Sequence, residues 1–303
     1  MTLSAFIGQT RIPQTVAAIL CLLAAGSARA QSNSWDGYLN NTQWYVPAAN
    51  LLAYVTTGST FANPEATADQ TIWHITSATN GAFSGTSTAE FTHGILTITS
   101  TTSMSGTVNE AGQLIILFSN PGQPTTIGLG QVRGSEAEPY LEMQMITGED
   151  GTYVSHWAYM AQYEEGTELP PLEITGTTIW DQWSWIEGTD WDFQSVPLFG
   201  AGETGTFQIT NFDNGYFWGS GSGPSGSPAE SFTLLGSATP EGNVLFNLLA
   251  DGELISLTGF ITGNITNGQM TLTPYDPDTG PGAPGTASVV PEPATAALAA
   301  AAL

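Results

Sequence analysis

The chain has 303 residues and a formal charge of −24, with no lysine and three arginines against 27 acids. A surface of that sign repels phosphates and anionic lipid headgroups, which argues against nucleic acid as a partner. The absence of lysine excludes lysine-based covalent catalysis, and the single cysteine, Cys21, excludes an internal disulfide framework.

Residues 1–30 predict a secretory signal. Arg11 marks a basic start, Val16 to Ala25 forms an apolar run too short to span a bilayer, and Ala28-Arg29-Ala30 offers a small-x-small cleavage site. Cleavage after Ala30 leaves a body without cysteine, in which Arg133 alone faces all 27 acids. Such an exported protein depends on burial and strand pairing for its stability.

Residues 31–275 predict an all-β body. Short runs rich in Thr, Val, Ile and aromatics alternate with Gly, Asn, Asp and Pro. Asn80-Gly81, Asp150-Gly151, Asn214-Gly215, Asp251-Gly252 and Asn267-Gly268 are each suited to a tight hairpin, whose two central residues need positive φ. Residues 243–275 read as strand, turn, strand, turn, strand, with Met270 and Leu272 alternating with Gln269, Thr271 and Thr273. The stretch "WHITSATNGAFSG" (73–85) aligns without gaps on "FQITNFDNGYFWG" (207–219). Gly106 and Gly112 then fall opposite Gly236 and Gly242, and Trp44 opposite Trp180. This pattern predicts an internal duplication: two antiparallel meanders, 42–145 and 178–275, forming a barrel or a sandwich.

Acids and tryptophans concentrate between the two repeats. Trp180, Trp183, Trp185 and Trp191 lie among Asp181, Glu187, Asp190 and Asp192. Flat aromatic faces with neighbouring carboxylates suit a glycan site, and two carboxylates flanking a glycosidic bond suit a hydrolase. Core aromatics separated by solvated acids are the simpler alternative. His74, His93 and His156 show no metal-ligand spacing. "DPDTG" (276–280) lacks most of a calcium loop, so neither a metal nor a cofactor is expected, and no catalytic residue is assigned. Residues 276–288, rich in Pro and Gly, predict a flexible linker.

The chain closes on Val290-Pro291-Glu292-Pro293-Ala294-Thr295 and an Ala-rich run. Pro291, Glu292 and Pro293, with the apolar run after them, resemble the start of the PEP-CTERM sorting signal of Gram-negative bacteria. The resemblance covers the tail, 289–303, and leaves the body unassigned. It implies export, transient retention at the membrane through the tail, and processing by an exosortase-type enzyme; many such proteins accompany exopolysaccharide. The Arg-rich end of the full signal is missing, so either the sequence is cut short or the signal is a reduced one.

The combined expectation is a secreted protein of the cell surface or extracellular matrix, without catalysis, that binds polysaccharide through tryptophans. The alternatives are a glycan-active enzyme using the central carboxylates and a barrel holding a small apolar ligand.

Overall fold

The computed structural model describes residues 34–47, 53–93, 96–123, 125–135, 138–149, 151–174, 180–194, 204–223, 230–276 and 280–290. The signal segment with Ala28 and Ala30, and the sorting residues Pro291, Glu292 and Pro293, lie outside them. No helix among the described residues is long and apolar enough to cross a membrane.

After a one-turn helix α1 (Asp36–Leu39), the first half runs β1 (Thr42–Tyr45), β2 (Ala53–Thr57), β3 (Glu65–Thr67), β4 (Asp69–Thr79) and β5 (Ala82–His93). It continues through β6 (Leu96–Val108), β7 (Gln113–Ser119), β8 (Thr126–Ser135), β9 (Glu138–Glu149) and β10 (Thr152–Gln162). Strands β4 to β10 form a meander. β1 closes it by pairing with both β4 and β10, giving an eight-stranded antiparallel barrel, while β2 and β3 extend from the other end of β10.

The second half repeats the plan. A short 3-10 turn (Ser184–Ile186) precedes β11 (Thr189–Gln194), β12 (Thr204–Asp213), β13 (Tyr216–Ser222), β14 (Phe232–Ala238) and β15 (Asn243–Ala250). Then follow β16 (Glu253–Thr262), β17 (Gln269–Asp276), β18 (Gly280–Pro281) and β19 (Gly285–Val289). β19 pairs with β11 on one side and β17 on the other and closes a second eight-stranded barrel. Closure leaves little free edge along each wall, the gap in the first barrel being β10 between its pairings with β2 and β1.

The duplication extends to individual hydrogen bonds. The long first hairpin of each barrel carries a bulge, between Ile75 and Ser77 and between Ile209 and Asn211. Both hairpins turn through Asn-Gly with positive φ at both residues, 54° and 79° at Asn80-Gly81 and 50° and 84° at Asn214-Gly215. The bond from Val108 N to the Gly81 carbonyl recurs from Ala238 N to Gly215, and that from Val132 N to Gly112 recurs from Ile261 N to Gly242. A Thr-x-Trp pair opens each barrel: Trp44 Nε1 donates to Thr42 Oγ1 at 2.9 Å, and Trp191 Nε1 to Thr189 Oγ1 at 2.7 Å. The counterpart of Trp44 is therefore Trp191 and not Trp180.

Three further expectations need correction. The 276–288 stretch, read as a linker, supplies β18 and most of β19, so the folded body continues past residue 275 to Val289. β19 alternates as any barrel strand does, with Gly285, Ala287 and Val289 buried and Thr286 and Ser288 exposed. Its inward side chains are small because Trp191 and Phe193 occupy the neighbouring interior. The first repeat also runs on to Gln162, which puts "VSHWAYMAQ" in the barrel wall. Asn267-Gly268 is no tight turn: neither residue has positive φ, and the reversal instead uses Gly263 at 89°.

The barrels lean on each other through apolar residues of their outer faces, Leu117, Ile127 and Ile146 from the first and Leu235, Leu245 and Leu249 from the second. Polar contacts fix the register of this seam. Gln144 Nε2 donates to Ser237 O at 3.0 Å, Phe61 N to Thr233 Oγ1 at 2.8 Å, and Trp157 N to the Tyr216 hydroxyl at 2.6 Å.

Candidate functional site

The central tryptophans do not form an exposed platform. Trp191 is fully buried inside the second barrel, stacked on Phe207 at 5.8 Å with an interplanar angle of 4°. Trp183 and Trp185 are half-buried against that core, their rings 62° apart, and Trp183 Nε1 donates to the Thr239 carbonyl at 2.8 Å. Trp180 packs on Trp157 at the seam, with centroids 5.1 Å apart. Trp191 is thus core, while Trp180, Trp183 and Trp185 pack in part against the second barrel or the seam and keep part of their surface exposed.

The acids beside them are exposed and fall in different places. Asp181 and Glu187 flank the 3-10 turn, while Asp190 and Asp192 project from the outer face of β11. Those two border a shallow concavity of ≈ 450 Å³ with Thr206, Gln208, Ser220 and Ser222. Being two residues apart on one strand, they lie on the same side of anything bound there. Glycoside hydrolysis needs carboxylates on both sides of the scissile bond.

A deeper groove opens between the barrels, ≈ 470 Å³ in volume. Its first wall carries Asn109, Gln113, Gln131, Arg133 and Glu142 from β6 to β9 and their connections. Its second carries Asn243, Thr258, Phe260, Thr271 and Thr273 from β15 to β17. Cross-strand registers align this second wall: Phe260 sits opposite Asn243 and Thr271, and Thr258 opposite Thr273. Phe260 occupies an outward position of β16, where alternation calls for a polar residue, and is 44 % exposed. An apolar ring kept on a hydroxyl- and amide-lined wall is a ready stacking surface.

The groove also contains the one Lys or Arg side chain among the described residues. Arg133 Nε donates to Glu142 Oε2 at 3.0 Å, and the Tyr159 hydroxyl to Glu142 Oε1 at 3.4 Å. Burial, and then the charge of Glu142, push the Tyr159 hydroxyl pKa well above its ordinary value. The pair makes the groove locally neutral on an otherwise acidic protein. The amides are already oriented: Asn109 Nδ2 donates to Gln113 Oε1 at 2.7 Å, and Asn243 Nδ2 to Thr239 Oγ1 at 3.3 Å. Among the described residues, Glu142 is the only carboxylate lining the groove. The arrangement of amides, hydroxyls and one aromatic ring can bind a polyhydroxylated chain.

Sequence reasoning missed the groove because its walls come from residues more than a hundred positions apart. Two signals in the sequence pointed to it: the solitary Arg133 and the out-of-phase Phe260. Among the described residues no group of three or more His, Cys, Asp or Glu is placed to hold a metal ion.

No protein-family model and no curated protein matches the chain. Among solved structures it is similar to a DUF3598-family protein of unknown function from Nostoc punctiforme, at 14% identity and a TM-score of 0.26, over 84% of this chain and 97% of that one.

Proposed function

We propose that this is an exported, non-catalytic protein of the cell surface or extracellular matrix that binds a neutral polysaccharide in the groove between its barrels. The observation that carries this reading is the groove itself, neutral, lined by amides and hydroxyls, and carrying one exposed aromatic ring. Its lining matches sugar chemistry, in which hydroxyls take paired hydrogen bonds and the apolar ring face takes the aromatic. The general negative charge keeps copies apart in a matrix and disfavours anionic chains. Export rests on the 1–30 signal, and processing by an exosortase-type enzyme rests on the Pro291-Glu292-Pro293 tail.

The reading is tested by titrating the full chain against a panel of neutral and acidic polysaccharides while following the release of reducing ends. Saturable binding to a neutral chain without release is the expected result. Release of reducing ends would favour the hydrolase alternative, and failure to bind any neutral chain would remove the reading.

A further inference from the structure

Because the barrels share one plan, interior positions of one have counterparts in the other. Gly85 matches Gly219 and Gly106 matches Gly236; in each match, a Cβ would strike the same neighbouring carbonyl or phenyl ring. The registers then set Trp73 opposite Phe207, Ser87 opposite Gly221 and Thr102 opposite Phe232. In the second barrel this level is filled by Phe193, Phe207 and Phe232, as packing alone would have it.

In the first barrel the matching positions hold Val46, Trp73 and Thr102, and the interior beyond them turns polar. Asp69 and Thr71 keep the inward phase of Trp73 and Ile75, Thr102 that of Met104, Thr147 that of Met145, and His156 that of Ala158 and Met160. His156 Nδ1 lies 2.7 Å from Asp69 Oδ2, and Nε2 lies 2.9 Å from Thr147 Oγ1. The His156 and Asp69 side chains are only 2% and 5% exposed. Three further atoms in this interior are buried with no hydrogen-bond partner: Asp69 Oδ1, Trp73 Nε1 and Thr102 Oγ1. Ala53, Val55, Phe91 and Val154 pack as an apolar cluster over this end and keep bulk water out. Leaving polar groups unmet inside an enclosed barrel opposes folding, and at the Thr102 position the second barrel places Phe232 instead.

We propose that this polar interior is a binding site for a small, neutral, hydroxyl-bearing molecule enclosed in the first barrel. Asp69 Oδ1 needs a donor, Trp73 Nε1 needs an acceptor, and Thr102 takes either. A hydroxyl group supplies both roles. An anion is opposed by Asp69, a cation meets the positive end of the indole N–H, and a hydrocarbon leaves all three atoms unmet. The occupant thus differs from the apolar ligand that a barrel alone suggests, and the site is independent of the groove.

The test begins with native mass spectrometry of the full chain purified without polyols. A one-to-one organic adduct is expected, absent from Thr102→Val and Trp73→Phe. The ligand is then stripped by unfolding and refolding, and the melting temperature is followed with glycerol as the probe. Glycerol should raise it more for the native sequence than for Thr102→Val. Ligand-free Thr102→Val should melt no lower than ligand-free native protein, because the hydroxyl it loses has no partner. Loss of adduct in the variants together with that retained melting temperature supports the site. No adduct with equal glycerol shifts, or a lower melting temperature for ligand-free Thr102→Val, overturns it.

Discussion

Arg133 and Glu142 illustrate how much one pair can matter on a surface this acidic. Glu142 is 7% exposed, and its charge is balanced by a guanidinium 3.0 Å away. Arg133→Gln keeps a donor but removes the charge. It should destabilise the protein by about 1–3 kcal/mol in urea unfolding, less than for a fully buried pair because Arg133 is partly exposed. Glu142→Gln should cost less, since it leaves an exposed cation instead of a buried anion. Tyr216 acts in a similarly local way. Its hydroxyl accepts the Trp157 N–H, which has no strand partner where β10 changes from pairing with β2 to pairing with β1. Tyr216→Phe leaves that buried N–H unmet and should cost about 1–3 kcal/mol in the same assay.

Buried tyrosines add a pH dependence at the alkaline end. Burial first, and then the hydrogen bond to Asp213, raise the Tyr54 pKa; burial chiefly, with Asp69 nearby, raises that of Tyr216. Their folded-state values lie above the model-peptide value of 10.0, so the unfolded chain loses these protons first. Their contribution to stability is complete below about pH 10 and is lost as pH rises beyond it. Denaturant midpoints measured across that range should fall with pH for the native sequence and fall less steeply for Tyr54→Phe.

Among the elements, β19 carries the most weight for its length. Five residues with small inward side chains join β11 to β17 and complete the second barrel. Ending the chain after residue 284 exposes the flanks of Trp191, Phe193 and Met270 and leaves two long free edges. Cooperative thermal unfolding of the second barrel should be lost, whereas ending it after residue 290 should leave the melting curve unchanged. Most elements were legible in the sequence. The turns at Asn80-Gly81, Asn214-Gly215 and Asp251-Gly252, the alternation of Met270 and Leu272, and the 73–85 and 207–219 match all reflect local rules of hairpin geometry and side-chain period. β19 was not legible, because Gly and Ala carry little apolar signal and the Pro and Gly around it dominate the composition. What makes β19 a strand is its pairing with β11 on one side and β17 on the other, a property of the closed barrel and not of the segment.

Taken as a whole, the molecule is two copies of one barrel that have diverged in what they enclose and joined along their outer faces. The duplication could be inferred from sequence because glycines are required wherever a Cβ would strike a neighbouring strand, and they recur at matching positions. The candidate site could not. The tryptophans that suggested a sugar platform serve as core and as packing at one end of the second barrel. The groove exists only because β6 to β9 of one barrel meet β15 to β17 of the other. Composition directed attention to acids and tryptophans, whereas the groove is lined mainly by hydroxyls and amides whose convergence depends on contacts across the whole chain.

Whether the groove holds a neutral polysaccharide is decided by one comparison of variants. The affinity of the native protein for the best-bound neutral polysaccharide is measured beside Phe260→Ala, in the groove, and Asp190→Asn/Asp192→Asn, on the outer face of β11. Phe260→Ala should weaken binding about 3- to 10-fold, the worth of one aromatic stack, while the double variant binds as the native protein does. Unchanged binding by Phe260→Ala together with loss of binding in the double variant would exclude the groove and move the site to β11.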